Sequence, residues 1–367
     1  MSLKQNIFLA YRAHTIKKHQ LTYLFWECTL RCNLNCRHCG SDCKKEASIP
    51  DMEPSLFLKA LDEIKQQVDP HTVMICITGG EPLLRNDLES VGKEITARGF
   101  PWGIVTNGML LTSERFSSLL RAGLRSVSIS IDGPEEAHNW LRRNPRSFEH
   151  ALSAAKLVSS FAAMHPGAFS YDVITCVNKH NFPLLDETKN LFVANGIKFW
   201  RIFSIFPNGR ATSRETTDIQ VNDELSVSNE QYRLLMEFIQ RTRTEKQIHV
   251  NYSCEGYLGK YELKVRDFFF FCRAGVNVAG IFCDGSVSGC LSIRARDFVQ
   301  GNITSENFMD IWNTRFANMR DHSWAKLGKC EHCASWKYCL GNGLHLHGDT
   351  HSACAHCNLE LLEESIS

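Results

Sequence analysis

This sequence predicts an α/β fold assembled from repeated strand–helix units, and two observations carry the prediction. The first two-thirds alternate short apolar runs rich in Val, Ile and Phe with longer amphipathic stretches, about six times over. The apolar runs read as parallel strands covered on both faces. Such units stack into a layered or barrel architecture, with reactive residues on the loops that follow the strands.

The elements follow in order. Residues 3–18 carry apolar side chains at helical spacing and predict a packing helix. Strands are predicted at 21–29, 73–78, 102–106, 126–131, 171–177 and 199–206. Amphipathic helices are predicted at 53–67, 87–98, 113–122, 148–162 and 184–195. Residues 208–225 are polar and read as a linker, followed by a helix at 230–242. From about Ser253 the periodicity dissolves into a segment rich in Cys, Gly and His. Such a segment is expected to lack a large apolar core and to rely on metal. The expected division is a helix at 1–20, an α/β core at 21–210, linker and helix at 211–252, and a small Cys-rich α+β domain at 253–367.

Composition narrows the function. A length of 367 residues with 43% hydrophobic content is enough for a substantial core. The net charge of +1 offers no electrostatic footprint for nucleic acid or an anionic membrane surface. The first twenty residues lack the apolar run and cleavage site of a signal peptide, and no run approaches a membrane span. A cytoplasmic protein is expected. There, sixteen cysteines point to metal or redox chemistry rather than disulfides. Five fall within 28–43 and nine within 254–357, which places two metal-binding regions at the ends of the chain.

Residues 27–43 read ECTLRCNLNCRHCGSDC. Only Cys32, Cys36 and Cys39 satisfy C-x3-C-x2-C. Cys28 is expected to point into the barrel, and Cys43 to be incidental. Three thiolates on a loop after a strand can hold three irons of a [4Fe–4S] cube and leave the fourth open; a structural zinc takes four ligands. The next strands end in Thr78-Gly79-Gly80-Glu81-Pro82, Thr106-Asn107-Gly108 and Ser128-Ile129-Ser130-Ile131-Asp132-Gly133.

Taken in this order, the motifs resemble the radical S-adenosylmethionine (SAM) superfamily over roughly residues 20–210. The resemblance implies a partial (βα)6 TIM-like barrel and a [4Fe–4S] cluster whose open iron is chelated by SAM. Gly79 and Gly80 would leave room for the SAM amino group. Glu81 would orient the turn or accept a hydrogen bond from the ammonium. Arg142 would pair with the SAM carboxylate, Ser130 and Asn107 would face the ribose, and His38 would pack toward the adenine. A flavodoxin- or ferredoxin-like donor would supply the electron that cleaves SAM to a 5′-deoxyadenosyl radical, while the protein binds, orients and excludes solvent.

A second constellation comprises Cys272, Gly285-x4-Cys290, Gly301-Asn302-Ile303 with Trp312, Cys330-x2-Cys333-x5-Cys339, and then Cys354 and Cys357. It resembles the SPASM domain, an auxiliary-cluster extension of many peptide-modifying radical SAM enzymes, and the PNGRA stretch at 207–211 suits that group. The resemblance implies an auxiliary [4Fe–4S] cluster on Cys330, Cys333, Cys339 and either Cys354 or Cys357. A second one would draw on Cys272 and Cys290, with Cys254 or Cys283. The family pattern places a further cysteine where this chain has Gly343, so the second set departs from it. A zinc ribbon on Cys330, Cys333, Cys354 and Cys357, with His345, His347, His351 and His356 as further donors, is the competing reading.

The resemblance further implies a peptide or small protein substrate that is crosslinked, epimerised or oxidised. The wording around the first cysteines is also similar to a subgroup associated with small lipoproteins. The alternatives are a tetrapyrrole-modifying enzyme and a non-catalytic iron–sulfur or zinc protein. No catalytic acid or base stands out; Asp267, Asp284 and Tyr252 read as structural.

Overall fold

The computed structural model describes residues 3–213, 220–253, 256–294 and 296–363. Cys254, one expected auxiliary ligand, lies outside the described residues. Six parallel strands succeed one another in space as in sequence: β1 (Tyr23–Glu27), β2 (Met74–Thr78), β3 (Trp102–Thr106), β4 (Leu124–Ser130), β5 (Ser170–Val177) and β6 (Phe199–Ser204). Helix α1 (Leu3–Lys18) precedes them. Between them run α2 (Pro54–Lys65), α3 (Leu88–Ala97), α4 (Ser113–Arg121), α5 (Glu135–Arg142), α6 (Ser147–Met164) and α7 (Leu185–Ala194).

The apolar runs become strands because one face of each is sealed under helices. Ile75, Ile77, Ile104, Val127, Ile129 and Val173 are buried in one core with Phe57, Leu88, Phe116 and Val158 of the helices. Alternate residues, among them Val105, Ser128, Ser130, Asp172, Ile174 and Arg201, are only half-buried and turn to the opposite, inward face. The register aligns Ser128 with Asp172, and Ser130 with Ile174 and then Arg201.

The sheet runs past the expected core. After α8 (Asn229–Glu245), which starts on a Ser228/Gln231 capping box, β7 (His249–Tyr252) pairs in parallel with β6. On the other edge, β8 (Val278–Ile281) pairs in parallel with β1, and β9 (Ser286–Ser288) and β10 (Val299–Asn302) add antiparallel. The ten-stranded order is β10-β9-β8-β1-β2-β3-β4-β5-β6-β7, open between β7 and β10, so the arc is a partial barrel.

The segment after Ser253 departs from its expectation of a thin core. Ile281, Val287, Phe298, Phe308, Ile311, Trp312, Phe316 and Met319 join the same core as the strands. Their strands and turns are too short to show a period, which is why the sequence pattern fades there. Two motif residues explain themselves. Gly285 (φ +86°) closes the β8–β9 turn where a Cβ would sit 2.7 Å from Asn302 Oδ1, and Asn302 Nδ2 donates back to the Asp284 carbonyl at 3.0 Å. Helix α1 packs Phe8 on Phe269 and Phe271, and its Arg12 donates to the Lys337 and Tyr338 carbonyls, both at 2.7 Å. Its Leu3, Ile7 and Tyr11 face solvent.

Candidate cluster and cofactor site

The C-x3-C-x2-C loop leaves the end of β1 and is clamped from three sides. Arg31 and Lys44 form an isolated parallel bridge, with Cys32 N donating to the Lys44 carbonyl at 2.7 Å. Arg37 N donates to Leu141 O at the end of α5. From beyond β6, Arg210 Nε donates to Cys36 O at 2.7 Å, and its Nη1 reaches Asp42 at 2.7 Å and Cys43 O at 3.0 Å. Gly209 (φ +55°) precedes it; a Cβ there would lie 2.4 Å from Cys39 O. The polar stretch read as linker thus begins as the lid strap of the cysteine loop.

Donors surround the three sulfurs. Leu34 N lies 3.5 Å from Cys32 Sγ, Asn107 Nδ2 3.9 Å from the same atom, Arg142 Nη1 3.7 Å from Cys36 Sγ, and Cys43 N 3.4 Å from Cys39 Sγ. Burial pushes the Cys32 thiol up to about 12, whereas a hydrogen bond from Cys43, with help from Arg210, brings Cys39 down to about 6. Thiolates need such donors, and cluster sulfurs use them too. Cys43, expected to be incidental, is therefore packed against Cys39. Cys28 is fully buried with Leu24 and Trp26 in the main core, on the helix-covered side rather than inside the barrel.

The Gly-Gly-Glu-Pro turn after β2 has a tighter reason for its glycines than room for a ligand. A Cβ on Gly79 (φ +135°) would lie 2.3 Å from Thr29 O, and one on Gly80 would lie 2.1 Å from Arg31 O. The backbone leading into the cysteine loop runs directly across them. Gly80 N donates to Thr29 O at 2.7 Å and Glu81 N to Arg31 O at 2.9 Å. Glu81 has no solvent exposure, and both its carboxylate oxygens are engaged: Leu83 N at 3.1 Å and Thr106 Oγ1 at 2.8 Å on one, Asn107 N at 2.8 Å on the other. It welds the β2 turn to the β3 turn. Asn107 in turn directs its amide to Asn33 Oδ1 at 2.8 Å, toward the cysteine loop.

After β4, Ser130 is half-buried on the inward face. Two residues on, Asp132 anchors a cluster that sequence reasoning quoted but did not assign. It is fully buried, takes Arg142 Nε at 2.6 Å on one oxygen and Cys176 N at 2.9 Å on the other, and its own N–H is received by His138 Nδ1 at 3.0 Å. Burial works against its ionisation, but Arg142, His38 and His138 together hold its carboxyl below the usual range. Arg142 is thereby fixed between Asp132 and Cys36. His38 brings a buried Nδ1 without a partner to the same place, and His38, Asp132 and Cys176 converge with their ligand atoms within 4.8 Å. Burial lowers His38 to about 4, so its ring is neutral. An acid directly after a strand end was the available signal for Asp132.

Cys339 and Cys354 meet at Asn342, whose own N–H donates to Cys339 Sγ at 3.1 Å and whose amide donates to Cys354 Sγ at 3.7 Å. Cys354 and Cys357 both lie near Cys330 and Cys339. No three of Cys330, Cys333, Cys339, Cys354 and Cys357 bring their sulfurs within 4.8 Å of one another. Four thiolates on one zinc stand about 3.8 Å apart, so their spread suits a cluster better than a zinc ribbon. Cys272 and Cys290 neighbour each other apart from this group. Cys283 donates to Pro50 O at 3.4 Å beside Glu27. Asp267 pairs with Arg243, Asp284 caps Ser286 N, and Tyr252 is buried, all structural positions.

A loop of three thiols and a glycine turn welded to it, both at strand ends of a partial barrel, with an arginine fixed at the end of α5, define a reductive SAM-cleaving enzyme. The family model of the Radical SAM superfamily matches residues 26–188, and that of the SPASM iron–sulfur cluster-binding domain matches residues 272–334. The chain thus carries a radical SAM domain followed by a SPASM domain, and it is an enzyme of that kind. Its cofactors are a [4Fe–4S] cluster with SAM and auxiliary iron–sulfur clusters. It is 26% identical over 334 residues to the AdoMet-dependent heme synthase of Methanosarcina barkeri, covering 86% of this chain and 89% of that one. It is 28% identical over 327 residues to the mycofactocin maturase MftC of Mycolicibacterium smegmatis, covering 87% and 76%. Similar folds are Streptococcus suis SuiB bound to S-adenosylmethionine (TM-score 0.68, 16% identity, 94% and 79% covered) and anSMEcpe with bound AdoMet and the Cp18Cys peptide (TM-score 0.68, 18% identity, 94% of each).

Proposed function

We propose that the protein uses the Cys32–Cys36–Cys39 site to abstract hydrogen from a peptide or small protein, so that a residue of it is crosslinked, epimerised or oxidised. When bound, the cluster and SAM supply a 5′-deoxyadenosyl radical. The chain's own part is placement: Arg142, fixed by Asp132, meets the SAM carboxylate, Ser130 the ribose, and the turn at 79–82 with Asn107 holds the cysteine loop in register. A flavodoxin- or ferredoxin-like protein in the cytoplasm supplies the electron. No described helix is long and apolar enough to cross a membrane.

The inward face carries the choice of substrate. Among the described residues of β1 to β6, its cation is Arg201, already neutralised by Asp172 at 2.6 Å and hydrogen-bonded to Ser128 at 3.1 Å. With Val105, Ser130 and Ile174 this is a mixed lining without an uncompensated charge. A peptide needs paired donors and acceptors there, whereas a tetrapyrrole with several carboxylates needs uncompensated cations. The similarity to AdoMet-dependent heme synthase over 86% of the chain favours a second reading, a tetrapyrrole substrate. Anaerobically reconstituted enzyme, SAM and reductant separate the two. 5′-Deoxyadenosine formation stimulated by a peptide encoded beside the gene is expected. A Soret shift with a carboxylated porphyrin, together with porphyrin-stimulated 5′-deoxyadenosine, overturns the peptide reading.

A further inference from the structure

We propose that His345 Nε2 is the third protein ligand of an auxiliary iron–sulfur cluster held by Cys272 and Cys290. The proposal rests on the C-terminal region being a cluster domain, not on the substrate.

Cys272 and Cys290 flank the β8–β9 hairpin, lie within electrostatic reach of each other and pack against the main core. Two thiols are half a site, and among the described residues Leu344 brings its backbone close to the Cys272 sulfur. Leu344 is followed by His345 and preceded by Gly343. A Cβ on Gly343 would fall 2.6 Å from His345 Cε1 and 2.8 Å from its Nδ1. The imidazole therefore fills the space that a side chain at 343 would take, beside the backbone that touches Cys272.

His345 also brings a buried ring nitrogen to this place. Its ring lies on Phe206, with centroids 4.7 Å apart, and its Nε2 is buried with no hydrogen-bond partner. Buried polar atoms are rarely left so without an ion or water to meet them. His347, two residues on, has both nitrogens committed, to Ser352 O at 3.1 Å and Gly341 O at 2.7 Å. The three ligand atoms do not come within 4.8 Å of one another, which is too wide for one ion. A cluster needs no such convergence, because its ligands bind different irons. Cys283 is engaged elsewhere, with Pro50. The fourth iron is thus without a cysteine of the described residues. A neutral imidazole in place of a thiolate makes the cluster less negative, and histidine ligation raises cluster potentials.

The test needs neither SAM nor substrate, so its outcome is independent of the peptide reading. The full chain with Cys32, Cys36 and Cys39 all changed to Ala is reconstituted anaerobically and its iron and acid-labile sulfide are counted. Pulsed EPR of the reduced protein then reads nitrogen coupling, with 15N-histidine labelling for assignment. About eight irons and a strong histidine nitrogen coupling are expected, from two four-iron clusters. His345→Ala should lower the count to about four and abolish the coupling. His345→Cys should keep about eight irons, lose the coupling and lower the potential. Melting curves confirm that both variants fold. About four irons in the triple variant, or eight with no nitrogen coupling, or a coupling that survives His345→Ala, would overturn the proposal.

Discussion

Glu81 and Asp132 are buried carboxylates at strand ends, and each organises a different neighbour. Glu81→Ala leaves three donors facing an empty site, at a cost of about 1–3 kcal/mol for each that stays unmet. A clearly lower melting temperature and loss of iron on gel filtration are expected; Glu81→Gln, which keeps one acceptor, should fall between. Asp132→Asn strips Arg142 of its buried counter-charge, which costs roughly 3–5 kcal/mol. The sign of its pH dependence follows from the carboxyl being held below the usual range. Its contribution is complete above the unfolded value of about 3.9 and is lost as pH falls through the lower, folded value. Acid titration of wild type should therefore show a stability loss below pH ~4 that is flatter in Asp132→Asn. At this scale the cysteine triplet was legible, because its spacing is local. The work of Glu81 was not, because its partners Thr106 and Asn107 arrive from the next strand.

The cysteine loop is an element without regular structure, and Arg210 is its main tie from across the barrel. Removing a charged donor to Cys36 O, Cys43 O and Asp42 forfeits about 1.5–3 kcal/mol of hydrogen bonding. Arg210→Ala is expected to release iron to a chelator roughly ten to a hundred times faster, with the circular dichroism unchanged; an unchanged release rate would remove the strap from the account. The six core strands were legible because each carries apolar residues sealed by a helix, and amphipathic stretches run between them. Helix α5 and strands β7 to β10 were not. Elements of three to eight residues give no measurable period, and their burial comes from distant residues, as Leu141 of α5 is buried with Ala211 and Leu225.

Across the whole molecule, the C-terminal region completes the sheet and also braces the first site. Arg294 pairs with Glu27 at the end of β1 and donates to Ser41 in the cysteine loop at 2.6 Å. A chain ending at Tyr252 would bare the β1 edge that β8 covers and much of the core. It is expected to be insoluble, or to lack a cooperative melt; a soluble, cooperatively folding fragment would show that the two parts are independent. Two metal-binding ends were legible in the cysteine distribution, but their continuity through one sheet was not, since pairing over some 250 residues leaves no local trace. The central claim is that Cys32, Cys36 and Cys39, held by the turn at 79–82, are where SAM is cleaved. The most direct test is 5′-deoxyadenosine release by the anaerobically reconstituted protein with SAM and dithionite, compared with Cys28→Ala and Cys36→Ala. Release by wild type and Cys28→Ala, and none by Cys36→Ala, is the expected result. Undiminished release by Cys36→Ala, or none from fully iron-loaded wild type, would contradict it.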